Sequence, residues 1–174
     1  MSTTGAGSGS RTERPEIPGT VGSLRAEAEA DVAKEYGPPV WTDLWDAMGR
    51  TRTKIANGYE RGSDPETLKA DMMVFFILCW NLRDWIMTDD TVPFGDDLED
   101  IETTVPCMGR CQAVAKTADQ RATAGVEGIV FHHNSRASIR FSEDPADMVD
   151  VLELADECLQ WWRTYLATHG LTAR

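Results

Sequence analysis

Apolar side chains recur every three or four residues over most of the chain, which is the spacing of one face of an α-helix. In the clearest run they are separated by 4, 3, 4, 3 and 4 residues: Leu68, Met72, Phe75, Cys79, Leu82 and Ile86. Other apolar residues lie between them, as in the central helix of a bundle, so we expect Phe75 and Leu82 to be almost fully buried. Asp64 can cap this helix and Pro65 suits its first turn, which predicts a helix from there to about Met87.

Similar patterns predict several further helices, at about Ser23–Tyr36, Val40–Tyr59, Asp97–Thr104 and Pro106–Arg121. The last helix is expected to begin with Asp144 as its cap and Pro145 at its first position. Its buried stripe would start at Met148 and continue at steps of three or four residues. Gly170 is suited to the left-handed residue that follows a helix in a Schellman ending.

A strand pattern occurs before the last helix. Residues 129–131 and 137–141 alternate in hydrophobicity and flank a polar segment, with Ile129, Phe131, Ile139 and Phe141 on one face. Because a two-stranded hairpin is marginal alone, we expect it to pack on the helices. The predicted fold class is therefore mainly α, a helical bundle of about five helices with a β-hairpin before the last helix.

The N-terminal segment differs in composition from the rest. Residues 1–20 are rich in Ser, Thr, Gly and Pro, which predicts a disordered tail before a single helical domain at 21–174. The strongest apolar run, Met72–Trp80, is far shorter than the roughly 20 residues that span a bilayer. No signal-peptide pattern is visible, so we expect a cytoplasmic protein without membrane contact.

The charge is strongly acidic, with 29 Asp and Glu against 17 Lys and Arg and a net charge of −12. Nucleic-acid binding depends on Lys and Arg displacing counterions, so this balance argues against general affinity for nucleic acid. An acidic ladder has helical spacing near the C-terminus: Asp144, Asp147, Asp150, Glu153 and Glu157. It is interpreted as the solvated face of the last helix, with a surface that mimics DNA or docks a basic partner as the alternative.

The four cysteines are expected to be reduced, free thiols, because three of them occupy core-like helix positions. A zinc site is the alternative, since Cys107 and Cys111 share a helix face and His132 or His133 could join them. Adjacent strand residues point to opposite faces, so only one of these histidines could contribute. A structural zinc ion normally has four ligands in tighter spacing, and the prediction is therefore no metal and no cofactor.

A polar cluster interrupts the apolar central helix at Asn81, Arg83 and Asp84. The simpler interpretation is a buried or half-buried ion pair within the bundle. The alternative is a group of side chains that faces a ligand, because perturbed polar groups also gather at functional sites.

Two segments carry a resemblance to known proteins. Residues 71–86, with Phe75, Phe76, Asp84 and Trp85, resemble the "FF…HLxDWI" central helix of small uncharacterised bacterial proteins, and residues 155–171 resemble their closing helix. That group is similar to HEPN-like helical bundles. The resemblance covers the layout of residues 65–171.

The resemblance implies a candidate catalytic pair. HEPN ribonucleases use an Arg followed, after four to six residues, by a His, and Arg163 and His169 have a similar spacing. His169 would act as general acid or base and Arg163 would stabilise the charged phosphorane. The relatives often carry an "NGxKH"-like segment; here Lys116 remains, and Thr117 stands in place of the histidine.

Two functions follow as hypotheses. The first is a non-enzymatic protein-binding or regulatory module of a bacterium or phage, acting through a protein partner or as a homodimer. The alternative is a HEPN-like, metal-independent ribonuclease in a toxin or defence setting, which would bind nucleic acid. Pairing of Arg163 with His169 across a dimer cleft would favour the enzyme, and separate exposed faces would favour the module.

Overall fold

Five helices and a small antiparallel sheet make up the residues that the computed structural model describes, which are 41–89, 92, 98–118, 125–144 and 146–171. The elements are, in order, α1 (Trp41–Arg61), α2 (Pro65–Thr88), α3 (Ile101–Thr104), α4 (Pro106–Ala118), β1 (Gly128–Phe131), β2 (Ala137–Arg140), β3 (Met148–Asp150) and α5 (Val151–Thr168). The predicted helical bundle with a hairpin before the last helix is confirmed. Within these ranges, no helix has both the length and the apolar character needed to cross a membrane. The predicted tail at 1–20 and helix at 23–36 lie outside them.

The central helix α2 begins and ends close to where the sequence predicts. The Asp64 carboxylate accepts a hydrogen bond from the Thr67 amide at 3.0 Å, and Pro65 occupies the first turn. Phe75 and Leu82 are fully buried, as predicted. Because α2 contacts α1, α4 and α5, its apolar residues form the centre of the core.

Helix α3 is shorter than predicted within the described residues. Only Ile101–Thr104 is helical in the segment predicted from Asp97, a residue that lies outside the described ones. Helix α4 starts at Pro106 as expected and is described to Ala118. A Cβ atom on Gly109 would lie 2.5 Å from the Glu102 carbonyl oxygen, so glycine permits the close packing of α3 on α4.

The sheet has a third strand that the sequence pattern does not reveal. Its order is β1-β2-β3, all antiparallel, and the central residue Ile139 pairs with Ile129 on one side and Val149 on the other. Because residues 148–150 form this strand, α5 starts at Val151, six residues after the start at Pro145 that a cap at Asp144 predicts. Met148, predicted to be buried on a helix, is a strand residue that is 37% exposed.

The prediction that Asp144 caps the last helix is therefore wrong, and Asp150 is the cap. The Asp150 carboxylate accepts hydrogen bonds from the amides of Leu152 and Glu153, at 2.9 and 3.3 Å. Asp144 instead stabilises a turn, where its carboxylate accepts a hydrogen bond from the Ala146 amide at 2.8 Å. Both aspartates satisfy local amides, and strand pairing decides which of them precedes the helix.

The acidic ladder is only partly a face of α5. Its first three members precede the helix, and only Glu153 and Glu157 lie on it, both exposed. Asp147 and Asp150 each form an ion pair, at 3.2 and 3.1 Å, with an arginine of α4 and of the hairpin turn respectively. Asp147 thus ties the chain before β3 to α4, and Asp150 ties the end of β3 to the hairpin turn.

The end of α5 is a Schellman motif, as predicted. Gly170 has a φ of 67°, which is the left-handed region that favours glycine. The Leu171 amide donates to the Leu166 carbonyl at 2.8 Å, and the Gly170 amide donates to the Ala167 carbonyl at 3.2 Å. These two bonds satisfy carbonyl groups that the helix would otherwise leave open.

Tyr59 joins α1 to the central strand of the sheet. Its hydroxyl donates to the Ala137 carbonyl at 2.9 Å and accepts from the Ala137 amide at 3.1 Å. The pairing of β2 with β3 ends with Ser138 opposite Asp150. Ala137, the residue that precedes Ser138, therefore has no partner on β3. The phenol thus satisfies the two backbone groups of Ala137 at the point where the chain leaves β3 and enters α5.

The Tyr59 phenol is expected to make stability depend on pH in the alkaline range. Burial is the largest cause that raises its pKa, to about 12; the hydrogen bond with Ala137 opposes this in part, and the charge of Asp150 adds to it. The unfolded phenol titrates near pH 10, so this stabilisation is complete below about pH 10 and is lost as the pH rises towards 12. Urea unfolding at about pH 9 and about pH 11.5 should therefore show a larger loss in the wild type than in Tyr59→Phe. Equal losses would contradict this role.

Candidate functional site

The two predicted catalytic residues lie near the C-terminal end of α5 but have different surroundings. Arg163 is exposed, and its guanidinium donates to the Gln160 side chain at 3.1 Å. His169 is half-buried; its ring stacks on Tyr165 with centroids 4.1 Å apart, and Nδ1 lies 2.9 Å from the Tyr165 carbonyl oxygen. Six positions separate the two residues, so their side chains leave a helix in directions roughly 120° apart.

The polar cluster of the central helix anchors the chain that follows it. The Arg83 guanidinium donates to the carbonyl oxygens of Leu98 and Glu99, both at 2.7 Å, and lies 3.7 Å from the Asp84 carboxylate. Its planar group also lies 5.1 Å from the centre of the Trp80 ring. Asn81 is half-buried two residues earlier on the same helix, which is about half a turn away. These contacts give Arg83 a structural role in fixing the start of the segment that leads into α3.

The histidines of the zinc alternative are not near the thiols that the structure brings together. His132 and His133 are both exposed on the hairpin turn, and the His132 ring lies 2.9 Å from the Ser138 hydroxyl. Three of the cysteines meet one another instead.

Three thiols from three helices converge in the core. Cys79 of α2, Cys111 of α4 and Cys158 of α5 are fully buried, and their sulfur atoms all lie within 4.8 Å of one another. We call these residues the thiol cluster. Cys107 lies one turn before Cys111 on α4 and is half-buried, and its backbone carbonyl accepts a hydrogen bond from the Cys158 thiol at 3.5 Å. Cys107 is thus a neighbour of the thiol cluster, and all four cysteines are free thiols.

The thiols perturb one another's ionisation. Burial raises the pKa of Cys79, but the neighbouring thiols of Cys111 and Cys158 and the Trp162 indole outweigh it and lower the pKa to about 5. The pKa of Cys111 is raised well above its usual value, mainly by burial. The pKa of Cys158 is also raised, first by its hydrogen bond with Cys107. The thiols of Cys111 and Cys158 donate their own hydrogen bonds to the backbone, to the carbonyl groups of Phe76 and Cys107 at 3.6 and 3.5 Å.

A buried donor also points at the thiol cluster. Trp162 is fully buried, and its indole nitrogen has no hydrogen-bond partner. This N–H group faces the Cys79 sulfur closely enough to lower the pKa of that thiol, although the contact does not reach hydrogen-bond geometry. A neutral thiol is a weak acceptor, whereas a thiolate accepts strongly. The indole would thus be satisfied if Cys79 were a thiolate.

An open, mainly apolar cleft of about 600 Å³ lies on the surface above the thiol cluster. Its lining residues come from the start of α4 and from one face of α5: Pro106, Cys107, Asp156, Glu157, Gln160, Trp161 and Thr164. We call this the Trp161 cleft. The Trp161 ring stacks on Tyr165 at 5.2 Å and meets Trp162 edge-on at 4.9 Å, so its position is fixed by aromatic neighbours.

A second, more polar cleft lies between α1 and α5. The Arg52 guanidinium crosses it and forms two hydrogen bonds with the Asp156 carboxylate, both at 2.8 Å, while Asp46 and Arg163 line its sides. The Arg52–Asp156 pair joins the two helices, which is a structural role.

The sequence singled out Cys107 and Cys111 as candidate site residues but not the other cysteines or Trp161. Trp161 precedes the buried Trp162 and lies off the apolar stripe of the last helix. This position is the sequence signal for an aromatic residue that is not fully buried. Cys79 and Cys158 lie at buried helix positions, but helical periodicity does not say which helices are neighbours.

Compared with protein families, curated proteins and solved structures, the chain matches none of them.

Proposed function

We propose that the protein is a non-enzymatic binding module whose Trp161 cleft takes a basic, amphipathic segment of a partner protein. The observation that carries this proposal is a half-buried tryptophan, held by two aromatic neighbours, in an open cleft whose lining is mainly apolar. Tryptophan is among the residues that most often dominate binding energy at protein interfaces. A ring that is already fixed loses little conformational freedom when a partner covers it.

The charge around the cleft selects the partner. Asp156 and Glu157 belong to the lining, and no basic residue does. Glu153 lies one turn before Glu157 on the same helix and is also exposed. Because Asp156 is already paired with Arg52, Lys and Arg side chains on a partner would meet Glu153 and Glu157 while an apolar side chain rests on Trp161. A second copy of this chain fits less well, because its net charge of −12 would bring like charges together.

The surroundings of Arg163 and His169 favour binding over catalysis. The Arg163 side chain bonds to Gln160 and borders the polar cleft, whereas the His169 ring stacks on Tyr165 on another side of α5. A general acid or base must reach the same reacting group that the arginine stabilises. Within one chain these two side chains diverge, so we assign no catalytic role to them.

Labelled synthetic peptides of about 15 residues, the length of an average helix, provide the binding test. A basic amphipathic peptide should bind with micromolar affinity, measured by fluorescence anisotropy, and a matched acidic peptide should not. Trp161→Ala should weaken binding by about 30-fold or more, the effect of a hot-spot residue. Glu157→Lys should slow association and reduce its dependence on salt.

Val74→Ala is the control, because Val74 is the most exposed large apolar residue of the described ranges and lies on α2. It should bind the basic peptide as the wild type does. Equal binding of basic and acidic peptides, or unchanged affinity in Trp161→Ala, would refute the proposed site.

A ribonuclease assay tests the alternative. We expect no metal-independent cleavage of single-stranded RNA by the wild type, since the net charge of −12 repels RNA. General acid–base catalysis contributes about 10²–10⁴-fold to a rate. Cleavage that falls by this amount in both His169→Ala and Arg163→Ala, with both variants folded, would replace the binding module by the ribonuclease.

A further inference from the structure

We propose that the four cysteines form a buried zinc site, with Cys79, Cys111 and Cys158 of the thiol cluster as three ligands and Cys107 as the fourth. The site is separate from the binding function proposed above, although Cys107 also lines the Trp161 cleft.

The spacing of the sulfur atoms suits a single ion. With Zn–S bonds of about 2.3 Å, two thiolates on one zinc ion lie about 3.8 Å apart in a tetrahedral arrangement. The three cluster sulfurs already lie within 4.8 Å of one another. Shifts of at most about 1 Å at each sulfur would therefore close them around an ion, which side chains on three different helices can supply.

Cys107 completes the coordination. A structural zinc ion takes four ligands, and an all-thiolate set is common among them. Cys107 shares a helix face with Cys111 one turn later, and its backbone already contacts the Cys158 thiol, which donates to the Cys107 carbonyl at 3.5 Å, so a rotation of the Cys107 side chain would bring a fourth sulfur to the cluster. Because Cys107 is half-buried at the floor of an open cleft, it also gives an ion a path from solvent to the three buried ligands.

The unpartnered Trp162 indole is the independent sign of a ligand. Its N–H group is buried beside the Cys79 sulfur without an acceptor, which costs free energy in the metal-free protein. A zinc-bound thiolate would accept this hydrogen bond, and such outer contacts orient and stabilise metal ligands. Ordinary core packing accounts for buried cysteines, but it does not account for a tryptophan donor directed at one of them.

The chemistry of the donors selects the metal. Thiolates are soft ligands that favour Zn²⁺ and Cu⁺ over Mg²⁺ or Ca²⁺. Four thiols bind Zn²⁺ with the release of four protons, and the two positive charges of the ion offset half of the four thiolate charges. Zn²⁺ suits the site better than Cu⁺, because a doubly charged ion leaves less negative charge in the core.

The test uses the full chain, reduced and freed of metal with a chelator. Zn²⁺ titrated against a chromogenic chelator should bind at one equivalent per chain, and the melting temperature should rise by about 10 °C at saturating metal. Co²⁺ in the same site should show thiolate-to-cobalt charge transfer and the strong visible bands of tetrahedral cobalt. No stoichiometric binding of either ion would refute the site, as would Cu⁺ binding without Zn²⁺ binding.

Variants identify the ligands. Cys107→Ser, at a half-buried position that tolerates change, should lower zinc affinity by about 100-fold and alter the cobalt spectrum. Cys111→Ala should abolish the charge-transfer band. Trp162→Phe removes the indole N–H and should lower affinity by about 10–100-fold, the usual effect of losing an outer hydrogen bond.

Trp45→Phe is the matched control for Trp162→Phe, because Trp45 is half-buried on α1, a helix that carries no cysteine. It should keep the zinc affinity of the wild type. Tight zinc binding that survives in both Cys107→Ser and Cys111→Ala would overturn the assignment. So would a disulfide between cluster cysteines in the isolated protein, if no zinc binds after reduction.

Discussion

Phe75→Ala is expected to lower the free energy of unfolding by about 3–5 kcal/mol, the usual cost of removing a buried phenylalanine ring. Phe75 is fully buried on the central helix, and its ring meets the Phe76 ring edge-on with centroids 5.2 Å apart. Helix α2 is in contact with α1, α4 and α5, so the neighbours of Phe75 are held from several sides and cannot easily fill the space. Urea unfolding followed by circular dichroism measures the loss.

Val74→Ala is the control for this substitution, since Val74 precedes Phe75 on the same helix and is 47% exposed. Its effect should remain within about 0.5 kcal/mol, as for other surface positions. A similar cost for the two variants would mean that α2 does not present this face to the core.

Asp150→Ala is expected to cost about 2–3 kcal/mol, more than the loss of a helix cap alone. Removing an N-cap carboxylate costs about 0.5–2 kcal/mol. Asp150 also binds the Arg136 guanidinium at 3.1 Å and lies 3.4 Å from the Tyr59 hydroxyl, so the substitution leaves two further polar groups with fewer partners. The measurement is again urea unfolding, at neutral pH.

Asp144→Ala distinguishes the two candidate starts of the last helix. The Asp144 carboxylate stabilises only a surface turn, so its loss should cost about 0.5 kcal/mol. A cost for Asp144→Ala equal to or above that for Asp150→Ala would restore Asp144 as the cap and remove the third strand.

Local signals predicted the elements, and tertiary contacts decided their ends. The cap at Asp64 and the apolar spacing after it fixed α2, because capping and helical periodicity depend on neighbours in sequence. The start of α5 was predicted wrongly because both Asp144 and Asp150 can cap a helix. The choice between them rests on pairing of β3 with β2, which no pattern within residues 144–151 reveals.

The candidate sites were harder to predict for the same reason. Cysteines at positions 79, 111 and 158 each occupy an ordinary core position when their helices are considered singly. Their convergence depends on how α2, α4 and α5 pack, and the sequence-based zinc alternative therefore chose the two histidines nearest along the chain. For Trp161 the sequence shows an aromatic residue that lies off the buried stripe of α5. It does not show that the start of α4 lies beside this residue and completes a cleft.

The bond between Tyr59 and Ala137 changes what protects one amide of the sheet. In a regular sheet, a backbone N–H group is shielded by the neighbouring strand and exchanges its hydrogen with solvent when that strand separates. The Ala137 amide is instead held by a phenol from α1. Its exchange is consequently controlled by the lifting of α1 from the sheet, whereas the amides of Ile139 and Val149 follow the opening of the strands themselves.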